Sequence, residues 1–176
     1  MTTSVLLQTP RLILRTVTTA DADAVASSWK LDAAPISHEE AKEKITWMFG
    51  NHEQNAPGRL VHLCLGIIQK NSQEFIGWCG LDHTDQTKAN PVLFYLLKES
   101  YWGKGLATEA ARAVLDYAFR ELDLARIDSA TAYENTASKR VMEKIGMMYL
   151  GLDEEGGHFF TLAKAEYFQA LGRSNL

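Results

Sequence analysis

The sequence predicts an α/β (α+β) fold, in which a mixed, mostly antiparallel seven-stranded sheet is flanked by three to four helices in a single domain over residues 1–176. Three observations predict it. Short apolar runs of strand length recur between polar or glycine-containing turns. Helical periodicity is confined to a few segments, the clearest of which begins at Ala107. Hydrophobic residues make up 46% of the 176 positions, which is enough for one core.

The predicted helices are set by local signals. Ser37 and Glu40 have the spacing of a capping box, so a helix is expected to begin there. A second helix begins at Ala107 and a third at Asn135, and a short one is expected between the first strand and Ser37.

Sheet order does not follow from the sequence. The predicted strands are residues 11–17, 60–69, 75–81, 91–97, 126–133, 147–152 and 158–162.

Composition argues against several classes of function. The formal net charge is −4 and no Lys/Arg run occurs, which argues against nucleic acid as a partner. The first residues lack a basic segment, and no apolar stretch is long enough to span a membrane, so a cytoplasmic protein without membrane association is expected. Cys64 and Cys79 lie within predicted strands and are expected to be buried free thiols. The histidines have no metal-ligand spacing, so no metal site is expected.

The stretch that organises the chain is a glycine-bearing turn between a predicted strand and the helix that begins at Ala107. Glycines at 103 and 105 can take positive φ and let an anion approach the backbone N–H groups at the helix N-terminus. A tight turn without a ligand explains the same two glycines equally well. The pattern is neither a P-loop, because Lys104 lies between the glycines, nor a dinucleotide fingerprint, because position 108 is Thr.

A second motif indicates which protein family this turn belongs to. It follows about thirty residues later as Asn135-x-x-Ser138-x-x-Val141-x-Glu143-Lys144-x-Gly146. Together with Trp102-Gly103-Lys104-Gly105-Leu106-Ala107-Thr108-Glu109-Ala110, it resembles the GCN5-related N-acetyltransferase (GNAT) family. Within that family, the chain is most similar to the ribosomal-protein N-terminal acetyltransferase (Rim-type) branch. The opening Thr9-Pro10-Arg11-Leu12 and the segment 75–81 are also similar to that branch, so the resemblance covers roughly residues 8–165.

The resemblance implies an acetyl-CoA-dependent N-acetyltransferase with no metal, and it assigns site residues. Backbone N–H groups of residues 103–108 would hold the pyrophosphate, the main chain around Tyr95 would hold the pantetheine arm, and Asn135 would hydrogen-bond that arm. Trp102 replaces the Gln or Arg that is usual in the family. The implied CoA-binding residues are Tyr95, Leu96, Leu97, Trp102, Gly103, Lys104, Gly105, Leu106, Ala107, Thr108, Asn135 and Ser138.

The chain departs from the family at two catalytic positions. Many relatives use a Tyr to protonate the leaving thiolate, and Met142 occupies that position here. Ser138 is therefore the candidate general acid, although a helix-cap or first-turn serine without chemistry fits it equally well. The branch often places a Glu base where this chain has Val92, so the base is unknown. The candidates, each also explained as a solvated surface residue, are Asp82, His83, Asp85, Glu154 and Glu155.

The acceptor is inferred from pKa values. A protein α-amine has a pKa of roughly 7.7–8.0 and a lysine one of roughly 10.4, so the α-amine needs much less help from a base near neutral pH. A site without an obvious base thus favours a protein N-terminus, with a small-molecule amine second. A CoA-binding sensor or interaction module that has lost catalysis, and an ATP-binding protein, are the alternatives. The oligomeric state is left open between monomer and homodimer.

Overall fold

The computed structural model describes residues 4–29 and 34–173. Within them the chain forms one sheet and helices on both of its faces. The strands are β1, Leu6–Gln8; β2, Leu12–Arg15; β3, His62–Gln69; β4, Phe75–Asp82; β5, Val92–Leu97; β6, Arg126–Thr131; β7, Met148–Leu152; and β8, His158–Ala163. The helices are α1, Ala22–Ser28; α2, His38–His52; α3, Leu106–Arg120; α4, Thr136–Lys144; and α5, Lys164–Arg173.

The sheet is antiparallel except at its centre. Its order is β1-β2-β3-β4-β5-β6-β8-β7, and every neighbouring pair runs antiparallel apart from β5 and β6. These two central strands run parallel and are in register at one position only, Val92 with Asp128. Beyond that position they diverge, so a gap opens in the middle of the sheet.

The two faces of the sheet carry separate apolar cores. Helix α3 packs its buried residues, from Leu106 to Phe119, against the strand side chains of one face. Helices α1 and α2 pack on the other face around Val25, Ile45 and Trp78. The alternation of side chains along a strand sends Leu63 to the α3 face and its neighbour His62 to the α2 face.

The predicted fold class is confirmed, with more elements than expected. The structure adds the three-residue strand β1 and the C-terminal helix α5. Strand β1 is too short for a periodic signal, and α5 begins at Lys164 directly after β8, without the Gly, Pro or Asn that would announce it. The capping box at Ser37 is confirmed, since its Oγ accepts from the N–H of Glu40 at 3.2 Å. No helix of the described residues is long and apolar enough to cross a membrane.

Candidate active site

The turn before α3 presents a row of unpaired N–H groups, here called the cradle and comprising residues 103–108. Gly103 and Gly105 have φ of 72° and 74°, the left-handed region that favours glycine. Gly105 is the N-cap of α3 and no side chain caps it. Within the described chain, the N–H groups of the cradle have no acceptor, the first intrahelical bond being from Glu109 to Gly105 O at 3.1 Å. A helix N-terminus of this kind suits a phosphate.

A cluster of contacts fixes the cradle to the start of β2. The Glu109 carboxylate accepts from the Thr9 hydroxyl at 2.5 Å, from the Arg11 N–H at 2.9 Å and from Arg11 Nε at 2.6 Å. Arg11 Nη1 also donates to the carbonyl of Lys104 at 2.9 Å. Burial raises the pKa of Glu109, but these hydrogen bonds outweigh it and the net direction is down. The guanidinium therefore stands beside Gly105, with its charge paired with the Glu109 carboxylate.

The gap between β5 and β6 exposes peptide groups of β5. Lys98 N–H donates to Ile76 of β4, and the Leu93 carbonyl accepts from Ser129 of β6. Because peptide groups alternate along a strand, Tyr95 and Leu97 turn theirs toward the gap. The carbonyl of Leu96 points toward β4. It is so close to Gly77 that a Cβ atom added to that glycine would lie 2.0 Å from the carbonyl oxygen.

Of the strand residues that the resemblance assigned to the pantetheine arm, Tyr95 offers its peptide group most directly. The carbonyl of Leu97 already accepts from the Trp102 indole at 2.8 Å. Leu96 as a residue is 41% exposed, and its side chain lies on the α2 face, opposite to the Tyr95 side chain.

Tyr95 and Ser138 meet across the gap. The Tyr95 hydroxyl lies 2.7 Å from Ser138 Oγ and donates to the Ser138 carbonyl at 3.1 Å. Burial raises the pKa of Tyr95 to about 12, and the hydrogen bond with Ser138 offsets part of that rise. The phenol is thus protonated at neutral pH, and the two hydroxyl groups form a donor pair between β5 and α4.

Asn135 positions this pair. Its Oδ1 accepts from the Ser138 N–H at 3.0 Å, so Asn135 caps α4 and Ser138 lies in the first turn. The Asn135 amide nitrogen has no partner in the described chain and can donate to a ligand. Met142 is 1% exposed and packs in the core.

A cavity of about 310 Å³ lies on the opposite, α2 face of the sheet. His62 and Asp82 form its inner wall, with Nδ1 and Oδ1 3.3 Å apart, and exposed Asp85 and Lys88 stand at its mouth. His62 also packs against the Trp47 ring, with centroids 4.9 Å apart. The lining residues are His62, Asp82, His83, Asp85, Lys88, Val92 and Phe94.

The family follows from a comparison with known proteins. A family model of the acetyltransferase (GNAT) domain matches residues 11–148. The chain belongs to the GNAT acetyltransferases. The uncharacterized N-acetyltransferase p20 of Bacillus licheniformis is 30% identical over 178 positions, covering 92% of this chain and 97% of p20.

Solved GNAT structures share the fold. The ribosomal-protein-S5-alanine acetyltransferase from Vibrio fischeri superposes with a TM-score of 0.78 at 18% identity, covering 93% of this chain and 98% of that one. RimL, the ribosomal L7/L12 α-N-protein acetyltransferase solved with coenzyme A, does so with a TM-score of 0.74 at 16% identity, covering 90% and 98%. The match to the family model and to p20 makes the chain an acetyl-CoA-dependent GNAT acetyltransferase.

Only some of the candidate bases of this GNAT domain lie at the cavity. Asp82, His83 and Asp85 line the cavity. Glu154 and Glu155 lie in the exposed turn between β7 and β8 and do not line it.

Sequence reasoning missed two side chains, His62 and the Tyr95 phenol, because each lies inside a strand. A polar group within an otherwise apolar strand was the available signal. In the described chain, no group of three or more His, Cys, Asp or Glu side chains is arranged to hold a metal.

Proposed function

We propose that this GNAT enzyme acetylates a protein N-terminal α-amine. The observation that carries the proposal is the gap that opens between β5 and β6 beyond Val92, on a strand that also lines the cavity on the α2 face with Val92 and Phe94. Acetyl-CoA held by the cradle would extend through the gap, and the amine would approach from the cavity.

The cavity suits the end of a polypeptide chain. At about 310 Å³ it is at the small end of the range for ligand sites, roughly 300–1,000 Å³, and its mouth is exposed. Asp82 and Asp85 contribute negative charge that attracts an ammonium group. An α-amine with a pKa of roughly 7.7–8.0 is already substantially neutral near pH 7.5, whereas a lysine is about 0.1% neutral.

The Tyr95–Ser138 pair serves the leaving group in this proposal. The thiolate of CoA, with a pKa of roughly 8.5, is a weaker base than the Tyr95 phenolate, so outright proton transfer from the phenol is uphill. Instead, Ser138 Oγ donates a hydrogen bond to the departing sulfur, and the Tyr95 hydroxyl turns its hydrogen from the Ser138 carbonyl to Ser138 Oγ. As the Tyr95 oxygen takes up a proton that the attacking amine loses, the Tyr95 hydrogen passes to Ser138 and the Ser138 hydrogen passes to the sulfur. Ser138 is the member nearer to the CoA arm that Asn135 would hold.

The test compares two acceptor peptides of the same sequence, one with a free α-amine and one with that amine blocked. A peptide with a free α-amine should release CoA thiol with acetyl-CoA, and mass spectrometry should locate the acetyl group at its N-terminus. The same peptide with a blocked α-amine and a free lysine is the control and should release little thiol. Acetylation of the lysine alone, or thiol release only with small amines, would contradict the proposed acceptor.

Two further outcomes separate the alternative functions. CoA binding by calorimetry without thiol release from any amine would indicate a binding module instead of an active enzyme. Preferential binding of ATP over CoA would indicate a nucleotide-binding protein.

A further inference from the structure

We propose that His62, held by Asp82, is the general base that deprotonates the acceptor amine. This assignment rests on the acetyltransfer function proposed above. His62 would take the role of the carboxylate base that is common in this branch, because the chain has Val92 at the position of that base.

The location follows from strand alternation. His62 on β3, Asp82 on β4 and Phe94 on β5 all turn toward the α2 face and line the same cavity. Phe94 is next to Tyr95, whose side chain points to the other face, and consecutive strand residues are only about 3.3 Å apart. An amine in the cavity beside Phe94 and a thioester beside Tyr95 would therefore lie at adjacent residues of β5, where the proposed reaction takes place through the gap between β5 and β6.

The contact with Asp82 sets the tautomer of His62. A carboxylate oxygen 3.3 Å from Nδ1 favours the hydrogen on that nitrogen, which leaves the lone pair on Nε2. Nε2 has no hydrogen-bond partner in the described chain. In the described chain, every side-chain nitrogen or oxygen that is fully buried has a hydrogen-bond partner. Since Nε2 has none, it must be at least partly accessible to solvent. The lone pair is thus free to accept a proton from a ligand in the cavity.

The surroundings of His62 keep it neutral. Burial lowers its pKa, and the hydrogen bond and charge of Asp82 offset only part of that fall. The other titratable groups around it are His52 on α2, and His83, Asp85 and Lys88 on the loop after β4. A neutral imidazole at physiological pH is the form that a base requires.

The reaction balances with these groups. The acceptor ammonium gives one proton to His62 Nε2, and the neutral amine attacks the thioester carbonyl carbon. A C–N bond forms and the C–S bond breaks. The thiolate takes the second amine proton through the Tyr95–Ser138 pair, which yields the amide and the CoA thiol. The proton on His62 then passes to solvent.

The test measures kcat/KM against pH with an α-amine peptide. At pH 6, where an α-amine with a pKa of roughly 7.7–8.0 is only about 1–2% neutral, His62→Gln should lower kcat/KM by about 30-fold and remove the acidic limb that His62 contributes, with CoA affinity unchanged. The matched control is His38→Gln, because His38 also pairs with a carboxylate, Asp23, at 2.8 Å but on the exposed surface. That variant should behave as wild type.

Two additional measurements separate a base from a structural histidine. With an acceptor amine that is already neutral at the assay pH, the defect of His62→Gln should shrink at least tenfold. Asp82→Asn should move the acidic limb to lower pH, because Asp82 raises the pKa of His62. A positioning role predicts this displacement, whereas simple loss of packing does not.

Failures of the two proposals are distinguishable. Wild-type protein that releases no thiol with any amine would overturn the proposed function itself. Active wild type together with a His62→Gln variant that keeps kcat/KM within threefold at pH 6, or keeps the same acidic limb, would overturn the assignment of His62 alone.

Discussion

Gly105→Asp should weaken CoA binding by about 10²- to 10³-fold. Gly105 has a φ of 74°, where a side chain costs roughly 1–2 kcal/mol of backbone strain. Space is not the obstacle, since the nearest atom to a Cβ there is Arg11 Nη2 at 3.6 Å. The new carboxylate would stand about 4–5 Å from the pyrophosphate, and at an effective dielectric constant near 20 each pair of charges costs roughly 3–4 kcal/mol. That repulsion alone accounts for the predicted loss of affinity.

The control for this prediction is Gly58→Asp. Gly58 is exposed, has a φ of 77° and has open space where a Cβ would stand, so strain and charge change as they do at Gly105. Its N–H donates to Leu122, beyond the far end of α3, about 21 Å from the cradle. Calorimetry with CoA should show unchanged affinity for Gly58→Asp. Affinity retained within threefold in Gly105→Asp would refute the assignment of the cradle.

Three other predictions concern catalysis, stability and thiol reactivity. Tyr95→Phe and Ser138→Ala should each lower kcat by about 10- to 100-fold, with the Kd for CoA within threefold, since each removes a donor to a developing charge; unchanged turnover in steady-state thiol release would leave the pair structural. Glu109→Gln should cost about 1–3 kcal/mol in urea unfolding at pH 7. Because the pKa of Glu109 is lowered by folding, this difference should be full above the ordinary carboxyl pKa of roughly 4.3 and be lost as the pH falls through the lower pKa of the folded state. A pH-independent difference would contradict the charge argument. Finally, Cys79 is buried, Cys64 is half-buried, and burial raises the pKa of both thiols, that of Cys64 to about 12. Both should therefore react slowly with a thiol reagent at pH 8 until the protein is denatured, Cys79 more slowly than Cys64, and rapid reaction of Cys79 in the folded protein would contradict its burial.

The cradle and the fold class were predictable because local rules specify them. Glycines before an amphipathic helix announce an N-terminus with free N–H groups, and the structure has those groups at residues 103–108. The occurrence of this turn together with the Asn135 motif carried the resemblance to the GNAT family, and that resemblance implied CoA as the ligand. Both signals lie within short windows of sequence.

The catalytic geometry was harder to predict because it depends on long-range pairing. The contact of Tyr95 with Ser138 spans 43 residues, and it exists because β5 and α4 flank the gap in the sheet. The contact of His62 with Asp82 depends on the register of β3 with β4, where the two residues are opposite one another. The sequence indicated Asp82, Ser138 and the main chain of Tyr95, but not the His62 side chain or the Tyr95 phenol, because neither strand register nor sheet order follows from local patterns.

The site itself is tested most directly by a crystal structure with acetyl-CoA or CoA bound. We expect pyrophosphate oxygens within about 3 Å of the N–H groups of residues 103–108 and the CoA sulfur within hydrogen-bonding distance of the Tyr95–Ser138 pair. The arm between them should run through the gap between β5 and β6. A pyrophosphate bound elsewhere, or a sulfur remote from Tyr95 and Ser138, would contradict it.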